Sequence, residues 1–204
     1  MAVRSVDPSD QNVRDLYPAA RNRPRARRRP RRYRLAVVAP SAADVIRHVG
    51  GWLFDRTYAG WEVTVLVSDC SDARPLGILG ATVLDLEKSL AAPVHNVWPN
   101  AVAVDARTYL ADVRVRAGVH ECLDRGLAEV SVWGDGWLGE LDGRIEPVQH
   151  RVSVAARAFK ACALDAAGFP ADPVETTEVF RTAELMSDCR RSGDLLSARP
   201  VAGV

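Results

Sequence analysis

Residues Gly50 to Val67 read Gly-Gly-Trp-Leu-Phe-Asp-Arg-Thr-Tyr-Ala-Gly-Trp-Glu-Val-Thr-Val-Leu-Val, and this stretch decides the fold. Its first half continues a helix of about 42–58, with apolar residues at helical spacing. Gly60 suits the end of that helix, and residues 62–67 are typical of a strand. Another apolar run, residues 35–39, precedes the helix and predicts a strand covered on both faces. The segment therefore predicts a β-α-β unit with parallel strands.

The rest of the chain repeats this alternation of apolar runs and amphipathic segments. We predict an α/β fold: a three-layer α-β-α, Rossmann-like domain with a mostly parallel sheet, spanning residues 34–190. A disordered basic arm at 1–33 and a flexible tail at 191–204 complete the predicted organisation. Further strands are expected at 81–86 and 129–133, and further helices at 107–124, 149–167 and 175–190. Residues 101–105 fit a short strand or the start of a helix, and both alternatives stay open.

Composition places the chain among soluble globular proteins. It has 204 residues, 48% of them apolar, which suffices for a sizeable core. No apolar run approaches the roughly 20 residues that a membrane span needs. The four cysteines are widely spaced without a C-x-x-C pair, so reduced thiols in a cytoplasmic protein are the simplest interpretation.

The charge is distributed unevenly along the chain. Residues 1–34 hold eleven of the 27 basic residues but only three of the 26 acidic ones, although the formal net charge is only +1. Four prolines and this charge density predict disorder, because such a segment cannot bury enough apolar surface to fold. A solvated tail is the simpler interpretation, and a weak nucleic-acid contact is the alternative. The candidate electrostatic residues are Arg25, Arg27, Arg28, Arg29, Arg31 and Arg32.

Polar residues follow the predicted strands where ligands bind in open parallel sheets. The candidate ligand-binding residues are Ser41, Asp44, Asp69, Asp72 and Asp135. Simpler structural roles compete with binding, since Ser41 and Asp44 suit a helix N-terminus and Asp69 suits an Asx turn. The loop after the first strand contains no glycine, which argues against a dinucleotide-binding fingerprint.

The segment from the first strand to Val67 resembles the PIG-L/LmbE-like N-acetylglucosaminyl deacetylases. In that family a first strand ends in A-H-P-D-D-E, and two glycines, a helix, a glycine turn and a strand follow. Gly50-Gly51, Gly60 and Glu62-Val63 match this pattern without a gap. Leu79 to Leu86 resembles the family's next strand, and the likeness extends from about residue 34 to residue 164. The resemblance implies a zinc-dependent deacetylase scaffold.

The metal motif of the family is not retained. In the alignment that the glycines set, Ser41 stands at the first ligand His, Ala43 at the general base and Asp44 at the second ligand. Val113 takes the place of the last ligand His. Catalytic zinc needs about three protein ligands, and the four histidines show no metal-binding spacing. We therefore predict a degenerate relative without metal or other cofactor.

Three functional hypotheses follow. The first is a deacetylase-like protein without zinc-dependent activity, which binds a small molecule or a protein partner. The second is a small-molecule hydrolase that uses strand-end carboxylates, with Asp44, Asp69 and Asp135 converging on one pocket. The third is a nucleic-acid-associated protein that acts through its arm.

Overall fold

The sheet has seven strands, in a computed structural model that describes residues 32–91, 98–170 and 173–183. The strands are β1 (Arg34–Ser41), β2 (Glu62–Asp69), β3 (Thr82–Asp85), β4 (Ala101–Asp105), β5 (Glu129–Trp133), β6 (Glu146–Arg151) and β7 (Thr177–Ala183). Their spatial order is β3-β2-β1-β4-β5-β7-β6, and β1 to β5 run parallel. β7 is antiparallel to both of its neighbours, β5 and β6. The predicted α/β fold with a mostly parallel sheet is confirmed.

Helices flank the sheet, and each face has its own apolar core. They are α1 (Ala42–Tyr58), α2 (Leu86–Ala91), α3 (Ala106–Ala111), α4 (Val113–Asp124) and α5 (Val154–Ala166), with 3-10 helices at Arg74–Leu79 and Gly139–Gly143. One core joins α1 and α5 to the strands around Val37 and Val65. The other joins α3 and α4 to the strands around Val104 and Val132. Within the described ranges, no helix has the length and hydropathy needed to span a membrane.

The β-α-β unit forms as predicted. Ser41 caps α1, since its hydroxyl accepts a hydrogen bond from the Asp44 amide at 3.2 Å. The chain then turns at Gly60, whose φ of 90° favours glycine. Residues 101–105, for which both alternatives were open, form the buried strand β4.

Three predicted helices need correction. The prediction of a final helix at 175–190 is wrong for the described residues, because 177–183 form β7. There, buried Glu178 and Phe180 alternate with exposed Val179, which is the period of a strand. The helix expected at 149–167 begins only at Val154, because residues 146–151 form β6. The helix expected at 107–124 is two helices, because Asp112 adopts extended backbone angles and caps α4.

Several predictions fall on residues outside the described ranges. These are the arm at 1–33, apart from its last residues, and the tail at 191–204. Of the candidate arm residues, Arg32 is described, and its Nε lies 4.0 Å from Glu62 Oε1. The others lie outside: Arg25, Arg27, Arg28, Arg29 and Arg31.

Candidate functional site

The start of α1 holds the first part of the site. The Ser41 hydroxyl donates a hydrogen bond to Asp44 Oδ2 at 2.6 Å while it accepts one from the Asp44 amide. This reciprocal pair forms because Ser41 ends β1 in extended backbone angles and Asp44 lies in the first helical turn. Both hydrogen-bonding functions of the serine are thus used within the helix cap.

The end of β4 supplies the second part. Asp105 is 2% exposed, and its carboxylate caps α3 by accepting hydrogen bonds from the amides of Arg107 and Thr108. The Arg107 guanidinium folds back onto the same carboxylate, with Nε 3.2 Å from Oδ1 and Nη2 3.2 Å from Oδ2. Arg107 Nη2 also donates to Asp44 Oδ1 at 2.8 Å. One guanidinium therefore joins the ends of two neighbouring parallel strands.

The charges at this junction stabilise one another. Burial alone would raise the pKa of Asp44, but the hydrogen bonds from Ser41 and Arg107 outweigh it and hold that pKa below its ordinary value of 3.8. The hydrogen bonds to Asp105 and Asp44 raise the pKa of Arg107 above its usual value. The site is consequently an arginine held between two carboxylates, those of Asp44 and Asp105.

Zinc does not fit this arrangement. The hydroxyl of Ser41 is engaged in the cap, and Val113 is an exposed apolar residue that offers no ligand. Asp112 beside it accepts from Arg114, whose hydrogen bonds lower the pKa of Asp112 to about 2. Among the described residues, no group of three or more His, Cys, Asp or Glu side chains could hold a metal ion.

The remaining candidate ligand-binding residues form no hydrogen bond with this junction in the described part of the chain. Asp69 Oδ1 accepts from the Ser71 amide at 2.9 Å, as an Asx turn does. Asp72 is exposed in the loop after β2, and Asp135 is exposed in the turn after β5. In the described part of the chain, no hydrogen bond or ion pair connects any of these three carboxylates to Asp44. Of the three, Asp135 lines a pocket beside α1 that the described residues form.

That pocket, which we call the α1–β5 pocket, has a volume of about 720 Å³. Arg47 and His48 of α1 line it on one side, and Trp133 and Asp135 line it at the end of β5. His48 Nδ1 lies 2.8 Å from the Asp44 carbonyl oxygen, as expected for an Nδ1–H donor, and no hydrogen bond from a described residue reaches Nε2. Trp133 is 1% exposed, and its indole N–H is buried without a hydrogen-bond partner.

Arg181 shapes the far wall of the α1–β5 pocket. Its guanidinium donates to the carbonyl oxygens of Gly134 and Gly136, each at 3.1 Å, and to Asp142 Oδ1 at 2.9 Å. These bonds fix the turn that carries Asp135. The backbone at Gly134 has a φ of 88°, which a residue with a side chain rarely adopts.

A buried ion pair supports α1, and its carboxylate, Glu178, also lines the α1–β5 pocket. Glu178 of β7 accepts from Lys160 Nζ at 2.6 Å, and both side chains are at most 6% exposed. The same carboxylate accepts from the amides of Gly51 and Trp52, at 2.9 and 2.7 Å. A Cβ at residue 51 would lie 2.5 Å from Val152 Cγ1, so glycine permits this close approach. Glu178 of β7 thus reaches the backbone of α1 at the glycine pair.

Solved structures share this architecture. The A40926 pseudoaglycone deacetylase Dbv21 is 14% identical over 78% of this chain and 100% of its own, with a TM-score of 0.52. The zinc-inhibited form of teicoplanin deacetylase Orf2 is 12% identical over 76% of this chain and 99% of its own, with a TM-score of 0.51. The chain has the fold of these deacetylases. The likeness to the LmbE-like family that the Gly50–Val67 stretch indicates is thereby confirmed for the fold. No protein-family model and no curated protein sequence matches the chain.

Sequence reasoning missed the residue that joins the site together. Arg107 lies two residues after Asp105, which ends the apolar run of β4. The rule that selected polar residues at the ends of β1 and β2 would therefore also have selected Asp105 and Arg107. It was missed because residues 101–105 had not been assigned to a strand. Arg47 and His48 gave no signal, since a charged residue on an amphipathic helix is ordinarily solvated.

Proposed function

We propose that this chain is a deacetylase-fold protein without zinc-dependent deacetylase activity, and that it binds a small polar molecule in the α1–β5 pocket. The ion pair between Arg107 Nη2 and Asp44 Oδ1, 2.8 Å apart, carries the first half of the proposal. Asp44 is the one residue that retains a ligand type of the family motif, and a guanidinium already neutralises it. A divalent cation at Asp44 would meet the like charge of Arg107 at close range.

The α1–β5 pocket supports the second half. Its volume of about 720 Å³ lies within the usual range of roughly 300–1,000 Å³ for small-molecule sites. The unpartnered indole N–H of Trp133 leaves a buried donor unsatisfied, and a ligand acceptor at that atom would remove the penalty. Charged side chains of both signs line the pocket, among them Arg47 and Asp135. The ligand we infer therefore carries several hydrogen-bonding groups.

Metal analysis and zinc titration of the purified chain test the loss of metal. We expect no stoichiometric zinc and no hydrolysis of N-acetylated amino sugars. A matched variant restores the family's residue types: Ser41→His, Ala43→Asp and Val113→His, with Arg107→Ala to remove the competing cation. That variant should bind zinc more tightly than the natural chain. One tightly held zinc in the natural chain, together with amidase activity, would refute the proposal.

Ligand binding is tested separately by thermal unfolding in the presence of polar small molecules such as amino sugars and amino acids. A true ligand should raise the unfolding temperature and shift the indole N–H resonance of Trp133 in NMR spectra. Substitution Arg47→Ala should lower the affinity for that ligand. Substitution Arg74→Ala, which removes an exposed arginine away from the pocket, should not. Equal effects of both substitutions would remove the α1–β5 pocket from the proposal.

A further inference from the structure

A second pocket lies where β6 ends, α5 begins and β7 begins, and we call it the α5 pocket. Its volume is about 630 Å³. It shares no lining residue with the α1–β5 pocket. Its polar lining consists of Gln149, Arg151, Ser153, Arg157, Thr176 and Thr177.

The charge of the α5 pocket has one sign. Two arginines line it, and no acidic side chain does. Within the described part of the chain, neither Arg151 nor Arg157 takes part in a salt bridge. The Nε of Arg157 is buried and has no hydrogen-bond partner. A buried guanidinium N–H without an acceptor is costly, so a group that brings oxygen acceptors would be favoured there.

Two carboxylates next to these elements, Asp55 and Glu178, are already engaged with other groups. Asp55 Oδ2 accepts from His150 Nε2 at 2.8 Å and from the Ser153 amide at 3.2 Å. Glu178, adjacent to Thr177 in β7, accepts from Lys160 and from two amides of α1. Neither of these two carboxylates pairs with Arg151 or Arg157.

Three hydroxyl groups complete the lining. Ser153 caps α5 by accepting from the Ala156 amide at 3.0 Å. Thr176 and Thr177 add two hydroxyl donors across the pocket. Guanidinium forks and hydroxyl groups together match the geometry of a phosphate, because phosphate presents several acceptor oxygens to bidentate donors.

We propose that the α5 pocket binds the phosphate group of a small phosphorylated molecule through Arg151 and Arg157. This site is additional to the function proposed for the α1–β5 pocket and does not depend on it. The pocket is large enough for a phosphate ester with its attached organic group. The arginines supply charge and orientation, and the hydroxyl groups of Thr176 and Thr177 supply further hydrogen bonds.

Titration of the full chain with pyrophosphate tests the site. NMR spectra follow the backbone amide resonances of Ser153, Thr176 and Thr177 during the titration. The arginines of residues 1–34 also attract phosphates, so the titration is run at about 0.15 M salt, where exposed charges are screened. We expect saturable shifts at these three amides. Substitutions Arg151→Gln and Arg157→Gln should each weaken binding about tenfold or more, as expected for a lost charged hydrogen bond.

Two further variants distinguish a specific phosphate site from non-specific electrostatic attraction between phosphate and arginine. Arg157→Lys keeps the charge but loses the fork, and it should also weaken binding. Arg74→Gln removes an exposed arginine elsewhere and should leave the affinity unchanged. Arg151 is exposed, so its substitution leaves the fold intact even if Arg157→Gln does not. Equal weakening by Arg74→Gln and Arg151→Gln, or the absence of saturable shifts in the natural chain, would overturn the proposal.

Discussion

Glu178 Oε1 lies 2.6 Å from Lys160 Nζ, and this ion pair joins β7 to α5 where neither side chain reaches solvent. Two amides of α1 donate to the same carboxylate. Three elements therefore meet at one buried charge. Such a carboxylate depends strongly on its cationic partner, because water cannot replace it.

Substitution Lys160→Met should destabilise the fold by about 3–5 kcal/mol, because it leaves Glu178 buried with its charge unpaired. The control is Lys88→Met, on the exposed side of α2, which should change stability by less than about 0.5 kcal/mol. Urea unfolding of both variants measures the difference. A change below about 1 kcal/mol for Lys160→Met would show that the pair contributes little.

Substitution Gly51→Ala should cost about 1–3 kcal/mol, because the new Cβ would lie 2.5 Å from Val152 Cγ1 and 3.1 Å from Glu178 Oε1. Gly118→Ala in α4 is a matched control, since nothing lies within 4 Å of its Cβ position. That control should gain up to about 1 kcal/mol from helix propensity. Thermal unfolding compares the two, and an equal gain at both positions would contradict the close packing at Gly51.

The ion pair at Asp44 makes part of the stability depend on pH. The folded pKa of Asp44 lies below 3.8, so its contribution is present above that pH and is lost as the pH falls through the folded pKa. The stability difference between the natural chain and Asp44→Asn should be widest near neutral pH and should shrink below pH 4. Urea unfolding across this range measures it. A difference that stays constant down to about pH 2 would contradict the assigned ion pair.

Thiol reactivity should divide the described cysteines into two classes. Cys70 and Cys162 are exposed, whereas burial raises the pKa of Cys122 to about 11. Because the thiolate is the reactive form, alkylation at neutral pH should label Cys70 and Cys162 first. Cys122 should react only when the protein unfolds. Peptide mapping after a short iodoacetamide pulse tests this, and early labelling of Cys122 would show that α4 opens in the native state.

Most of the fold that the sequence predicted correctly was indicated by helix caps, turns and other local sequence patterns. Ser41 marks the start of α1 and Gly60 marks the turn after it, and both act on immediate neighbours in the chain. β7 was missed because Glu178 reads as a solvated helix residue when its partner Lys160 is not known. The buried ion pair reverses that interpretation.

The candidate site was less accessible to sequence reasoning, for a physical reason. Ser41 and Asp44 were found because each follows a strand, but the partner of Asp44 lies 63 residues away in Arg107. Spacing along the chain does not reveal which side chain crosses between two strand ends. The cytoplasmic location, the nucleic-acid contact of the arm and the identity of any partner remain predictions.

The antiparallel strand β7 determines where the chain leaves the sheet. Ala36, Val102, Val130 and Ala183 form one row across β1, β4, β5 and β7. Three strand spacings of about 4.8 Å place the entry of β1 about 14 Å from the exit of β7. Both lie at the edge opposite to the one that carries Asp44 and Asp105. An affinity handle joined next to the start of β1 or the end of β7 would therefore immobilise the protein with its candidate site facing the solution.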